Sequence, residues 1–316
     1  MGIVKNEVNS VARGGTELLI EALERYMPEE LLSHFEIVPS RLRSELSEDK
    51  IKIYWAHDLP GDPECDHLTS GGWARWDKIV FVSNWQMQKF IDHYNIPWSM
   101  CVVIPNAIEP VMNVRKSDSG PVKLIYHTTP HRGLELLIPA FYALAEQHDI
   151  ELDVFSSFKM YGWEARDQQY QRIFDMCREH PKINYHGYQP NDVVRDHVAQ
   201  ADIFAYPSIW QETGCCALME AMSAGCLNVH SNLGCLYETS ANWGLSYQYS
   251  EDPNHHVNTF YGVLDYAVKN VRNDYFKTLT MHQKVYTDTF YSWNTRKMQW
   301  SGFLADTLNT HRLNQR

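Results

Sequence analysis

The sequence has no window near the roughly 18 to 20 uninterrupted apolar residues that a membrane-spanning helix needs, and its start, MGIVKNEVNS, has neither a basic leader nor an apolar stretch. N-myristoylation after Met1-Gly2 requires Ser or Thr at the sixth position, where Asn6 stands. The expectation is a chain without transmembrane segment or export signal. Basic charge is short as well. With 28 Lys+Arg against 39 Asp+Glu the net charge is −11, which argues against nucleic acid as a partner. The 7 cysteines (Cys65, Cys101, Cys177, Cys215, Cys216, Cys226, Cys235) are odd in number and irregularly spaced, so they form no disulfide framework. No Asn-x-Ser/Thr sequon occurs either, and both facts point to a reducing, cytoplasmic compartment. No Gly-x-Gly-x-x-Gly follows a strand, which sets aside a nicotinamide oxidoreductase.

What is present suffices for about two globular domains: 316 residues, 44% hydrophobic and 21% charged. Short apolar runs closed by a polar residue or Pro read as buried parallel strands at 34–40, 52–58, 78–84 and 100–106. Residues 17–27 place Leu18, Leu19, Ala22, Leu23, Tyr26 and Met27 at helical spacing, and Pro28 ends that helix. A polar stretch over 111–121 reads as a linker. The alternation then restarts, with strands at 122–129, 150–157, 182–188, 202–208 and 226–231. Helices fall between them at 133–147, 166–179, 193–199 and 214–224, and residues 254–308 read as helices only. Two successive βα arrays imply an α/β protein with two parallel sheets, because parallel strands need crossover helices. Ligands of such sheets bind at the carboxyl ends of the strands.

The densest polar segment lies at such an end, in YPSIWQETGCCALMEAMSAGC over 206–226. A helix starting near Gly214 aims the N–H groups of Gly214, Cys215 and Cys216 and the positive end of its dipole at an anion. Glu220, two turns on, can accept two hydrogen bonds from a ribose diol. By spacing alone the same pair, Glu212 and Glu220, also fits an ordinary solvated helix. A thiol at a helix start has a lowered pKa, but no histidine pairs with Cys215 or Cys216 in the sequence. Neither His127 with His131 nor His255 with His256 has a convergent third ligand for zinc.

The Glu-x7-Glu pair of Glu212 and Glu220, with Pro207-Ser208 before it and Ala221-Met222-Ser223-Ala224-Gly225 after it, resembles the donor-site signature of the retaining GT-B glycosyltransferases of family 4. ARGGTELL (12–19) is similar to the family's Gly-Gly-x-Glu loop, and IVFVSNWQMQKF (79–90) to its strand-then-Ser-x-x helix. IPNAIE (104–109) is similar to its Pro-Asn-Gly/Ala-Ile segment, and HRGLELLIPAF (131–141) to its basic phosphate element. Trp293 and Trp300 resemble its terminal helix.

The resemblance implies two Rossmann-like domains facing across a cleft, an acceptor domain over 1–112 completed by about 294–316 and a donor domain over 113–293. It implies retaining transfer of a hexosyl unit from a nucleotide-diphospho-sugar to a carbohydrate or glycoconjugate acceptor, with no metal and no other cofactor. Glu220 would hold the ribose, Glu212 would lie against the transferred sugar, and Arg132 would be the cation on the diphosphate. Backbone N–H groups of Thr213, Gly214 and Cys215 would add to it, with Gly14 and Gly15 admitting close backbone approach. His57 would hydrogen-bond the sugar or acceptor, and Gly187, after His186, would lie near the nucleotide. Loops such as 156–163 would set the base and the sugar.

The sequence departs from the family pattern in two places. A second basic residue is replaced by His127, so either a protonated His127 or the hydroxyls of Thr128 and Thr129 would face the phosphates. Residues 1–10 are too polar for a full first strand, which predicts an abbreviated sheet. A sugar-nucleotide epimerase or phosphorylase on the same architecture, and a non-catalytic sugar-nucleotide or glycan binder, are the alternatives.

Overall fold

Apolar and β-branched runs such as Phe35–Pro39 and Ile203–Tyr206 are buried along their whole length, as strands covered on both faces must be. The computed structural model describes residues 2–4 and 14–314 of the chain. These divide into two units, Met1–Ala107 with Tyr291–Arg316, and Ile108–Phe290. The polar stretch 111–121 belongs to the second unit.

In the first unit β1 (Phe35–Pro39), β2 (Ile51–Trp55), β3 (Lys78–Phe81) and β4 (Cys101–Val103) form a parallel sheet in that order. Ile3 adds a parallel bridge to Ile37; most of the stretch expected to hold an abbreviated first strand, residues 5–10, lies outside the described residues, as do 11–13. Helix Gly15–Tyr26 buries Leu19, Ala22 and Leu23, one helical face. The final helix, Trp293–Asn314, belongs to this unit: Trp293 stacks on Tyr26 at 5.4 Å and Trp300 meets Trp55 edge-on at 5.0 Å.

The second unit holds β5 (Val122–Tyr126), β6 (Ile150–Val154), β7 (Ile183–Tyr185), β8 (Ile203–Tyr206), β9 (Leu227–Ser231) and β10 (Leu245–Tyr247). All pairings are parallel, in the order β10-β9-β8-β5-β6-β7. The chain moves outward one way through β6 and β7 and the other way through β8, β9 and β10. The order therefore reverses between β5 and β8, the place in a doubly wound sheet where a ligand crevice opens. Helix Leu134–Ala145 packs on this sheet through Leu134, Leu137, Ile138, Phe141 and Leu144, each contributing roughly 1.5–3 kcal/mol by leaving water.

Three expectations shift. The helix after β8 starts at Cys216, not Gly214, because Cys215 is extended at ψ 93° and serves as its N-cap. Short elements at β10 and at helix Leu236–Ser240 add to the predicted set. Residues 164–170 form a 3-10 segment ahead of helix Gln171–Glu179, where one continuous helix is expected. No disulfide joins any of the seven cysteines, and no helix among the described residues is long and apolar enough to cross a membrane.

Candidate functional site

The loops leaving β5 and β8 lie side by side at the reversal point. Gly133, at φ +127°, has the carbonyl oxygen of Pro207 2.3 Å from where a Cβ would stand, so only glycine lets the two loops touch. Ile209 N–H donates to the Arg132 carbonyl at 3.3 Å, closing the same contact. Arg132 is thereby fixed one residue before the turn, and its Nη1 donates to Glu212 Oε1 in a close ion pair. Tyr206 donates its hydroxyl to that same carboxylate oxygen. Glu212 is only 5% exposed, and its backbone is held in turn by a bridge to Gly234 and by Cys235 N–H on its carbonyl. At Gly234 a Cβ would meet Glu212 N at 2.5 Å.

Glu220 projects from the second turn of helix Cys216–Ser223 and is nearly buried. Arg195 Nη1 donates to its Oε1 at 2.8 Å and Asn191 Nδ2 to the same oxygen at 3.4 Å. Arg195 also reaches the carbonyls of Glu109 and Pro110, at 2.8 and 3.1 Å. Thus the two glutamates sit in separate ion pairs, and Arg132 is the partner of Glu212, not of Glu220.

The segments that follow β5 and β6 hold several buried polar atoms with no hydrogen-bond partner among the described residues: His127 Nδ1, Thr129 Oγ1, His131 Nδ1, Arg132 Nε and Ser156 Oγ. An unmatched buried donor or acceptor costs on the order of 1–3 kcal/mol, so these strand-end atoms are candidates for polar partners such as water or a ligand. Thr128 is buried beside them.

Burial lowers the pKa of His127, against the opposing pull of Glu220 and the Ala217 carbonyl, so its imidazole is neutral at neutral pH. Its Nε2 faces that carbonyl at 3.2 Å and donates to it in the neutral ring. Of the two substitutes for the missing basic residue, the protonated imidazole is the one burial opposes. His131 is pushed down to about 4 by burial, then by Arg132 and Arg166. Its ring stacks on Phe158 at 5.2 Å and meets Trp210 edge-on at 4.8 Å. The 156–163 loop therefore stands beside this site, pinned by Asp167, which accepts from Ser157 Oγ at 2.5 Å and Phe158 N–H at 2.8 Å. Burial raises the Cys215 thiol well above its ordinary value and Glu212 adds to this, which corrects the lowered value expected for a thiol at a helix start.

Thr213 and Gly214 form the turn before the Cys215 cap. Gly187 follows β7 on the far side of the sheet from β9 and β10, and turns the chain at φ +62°. The remaining predicted residues belong to the first unit. His57 follows β2, its ring tilted on Trp55 at 4.5 Å, and burial pushes it down to about 3, too low for a base that holds a proton at neutral pH. Gly14 caps helix Gly15–Tyr26, and a Cβ on Gly15 would meet nothing within 4 Å among the described residues. Asn191, Arg195 and Gly234 escape sequence reasoning because their partners are far along the chain, and Tyr206 because, although Glu212 is near in sequence, it reads as an ordinary strand residue.

Comparison with known proteins agrees with this layout. The family model of the glycosyl transferases group 1 matches residues 123–254. The phosphatidylinositol N-acetylglucosaminyltransferase GPI3 subunit of Saccharomyces cerevisiae is 23% identical over 229 residues, 69% of this chain and 48% of that protein. The chain spans about half the length of the curated relatives it matches. A glycosyltransferase from Rickettsia africae ESF-5 superposes with a TM-score of 0.69 at 16% identity, over 93% of this chain and 80% of that one. The pneumococcal O-GlcNAc transferase GtfA, solved with UDP and GlcNAc, gives a TM-score of 0.63 at 13% identity, over 86% of this chain and 57% of that one. Residues 123–254 are thus similar to the glycosyl transferases group 1, and the chain shares the GT-B fold of the solved glycosyltransferase structures.

Proposed function

We propose that the chain transfers a hexosyl unit from a nucleotide-diphospho-sugar to an acceptor hydroxyl, with retention at the anomeric carbon and without a metal ion on the reacting phosphates. The observation that carries this is Arg132: one face of its guanidinium is committed to Glu212, while its buried Nε has no partner among the described residues. A diphosphate oxygen supplies that partner. The leaving nucleotide gains negative charge as the glycosidic bond breaks, and a fixed guanidinium stabilises that charge without reorganising.

Glu212, held by Arg132 and Tyr206, accepts hydrogen bonds from the sugar, and Glu220 accepts from the ribose diol with Arg195 fixing its carboxylate. The Thr128 and Thr129 hydroxyls take the place of the family's second cation, and neutral His127 lines the same end of the sheet. Backbone N–H groups over 213–215, and Gly14, Gly15, His57 and Gly187, contribute as the family resemblance implies. The departing phosphate oxygen takes the acceptor's proton, so no protein nucleophile is needed. Acceptors are carbohydrates or glycoconjugates, and the reaction is cytoplasmic. Uridine is the first base to test, because a solved structure of similar fold holds UDP.

The test is a product assay. Labelled UDP-glucose, UDP-N-acetylglucosamine and their guanosine and adenosine counterparts are incubated with the full chain and a panel of sugar and glycolipid acceptors. Expected is label moved to an acceptor with the donor's α configuration kept, and an inverted product contradicts the retaining step. Free sugar and free nucleotide formed without an acceptor indicate the epimerase reading, and donor binding with no turnover indicates a binder.

A further inference from the structure

On another part of the second unit, three side chains from three elements converge. Asp153 lies on β6, His186 directly follows β7, and His197 lies in helix Asn191–Val198. His186 Nε2 is 2.7 Å from Asp153 Oδ1, and His197 Nδ1 is 3.4 Å from Asp153 Oδ2. One ligand atom from each of the three lies within 4.8 Å of the others. We propose that these residues form a binding site for one divalent transition-metal ion of the zinc class, sharing no residue with the Arg132–Glu212 pair.

The chemistry of the set favours such an ion. Two imidazole nitrogens and one carboxylate are borderline ligands that suit zinc rather than calcium or magnesium, and three protein ligands leave a fourth position for water. A tetrahedral zinc ion with bonds near 2.1 Å needs its ligand atoms roughly 3.4 Å apart. Partial exposure of the His197 side chain, 32%, leaves it room to close the wider spacing and leaves the ion a path from solvent. The His186 ring is already oriented, stacked on Phe155 at 4.2 Å with an interplanar angle of 8°. Phe155 also meets His197 edge-on at 5.0 Å, so one apolar ring backs both imidazoles. Without metal, Asp153 accepts a hydrogen bond from His186 Nε2 and has only the 3.4 Å contact with His197 Nδ1, so affinity for the ion is the discriminating quantity.

Binding has a mechanical consequence. The helix that carries His197 also carries Asn191 and Arg195, the two partners of Glu220. An ion joining His197 to β6 ties that helix to the sheet and raises the stability of the folded unit in proportion to the logarithm of metal occupancy.

The experiment is calorimetric titration of zinc chloride into the metal-stripped full chain and into His186→Ala, His197→Ala and Asp153→Asn, each checked for native circular dichroism. His148→Ala, which removes one histidine of a two-residue pair with Asp265, controls for adventitious binding. Expected is one saturable site, at least about tenfold weaker in each of the three variants and unchanged in the control. Cobalt(II) added to the unmutated chain should give the visible absorption of a four-coordinate site, a readout that needs no variant to fold. No saturable zinc binding, equal affinity in the three variants, or an octahedral cobalt spectrum overturns the proposal. Each readout is independent of sugar transfer, so the transferase reading can fail while this one stands.

Discussion

At the residue scale the site consists of charges held out of water. Arg132→Met leaves Glu212 buried with Tyr206 as its remaining side-chain partner, which should cost roughly 3–5 kcal/mol in denaturant unfolding. Adding Glu212→Gln removes the stranded charge and should recover much of that stability. Turnover should stay lost in the double variant, and recovery of transfer with recovery of stability would mean that Arg132 acts only on the fold. A pH dependence follows from histidines whose folded pKa is depressed by burial, His131 and His230 to about 4 and His57 to about 3. Each takes up a proton more readily when unfolded, where its pKa is about 6.5. Stability is therefore full above about pH 6.5 and declines as the pH falls toward 4. The urea midpoint at pH 5 should lie below that at pH 7, and an equal or higher midpoint would contradict the burial of these rings. Glu212, Glu220 and Arg132 are legible in the sequence because each stands in a compact local motif. Asn191 and Arg195 are not, since what brings them to Glu220 is the packing of elements far apart in the chain, and Tyr206 is not because, though near Glu212 in sequence, it reads as a strand residue.

At the element scale the glycines separate fold from ligand. Gly133→Ala forces a Cβ to 2.3 Å from the Pro207 carbonyl at a φ of +127°, and should cost about 1–3 kcal/mol while displacing Arg132. Gly15→Ala meets nothing within 4 Å among the described residues at the first residue of a helix, so stability should hold within about 0.5 kcal/mol. If the space before Gly15 admits a ligand, transfer falls in that variant although its melting curve does not move; unchanged transfer would return Gly15 to an ordinary helix start. The strands of both sheets are legible because residues buried on both faces give continuous apolar runs. Leu245–Tyr247 is not, because it stands in a stretch of mixed polar and aromatic residues with no apolar run. The helix after β8 starts two residues late for a local reason: Cys215 adopts an extended backbone that the apolar pattern of the segment does not reveal.

At the scale of the whole molecule, two parallel sheets in two units and the reversal between β5 and β8 account for where the polar residues gather. That gathering was foreseeable from the βα alternation, since strand ends are the only places such a sheet leaves open. Which strands neighbour each other was not, because parallel pairing is long-range. A ligand that binds only the folded state raises the melting temperature, so one nucleotide sugar in a panel of uridine, guanosine and adenosine donors should stand out. The most direct measurement is calorimetric titration of UDP, GDP and ADP into the unmutated chain and into Glu220→Ala. Two charge-assisted hydrogen bonds to a ribose, each worth about 1.5–3 kcal/mol, predict that at least one of the three binds saturably and loses at least about tenfold in affinity in the variant. Failure of all three to bind, or equal affinity in Glu220→Ala, would contradict a nucleotide site at the β5 and β8 strand ends.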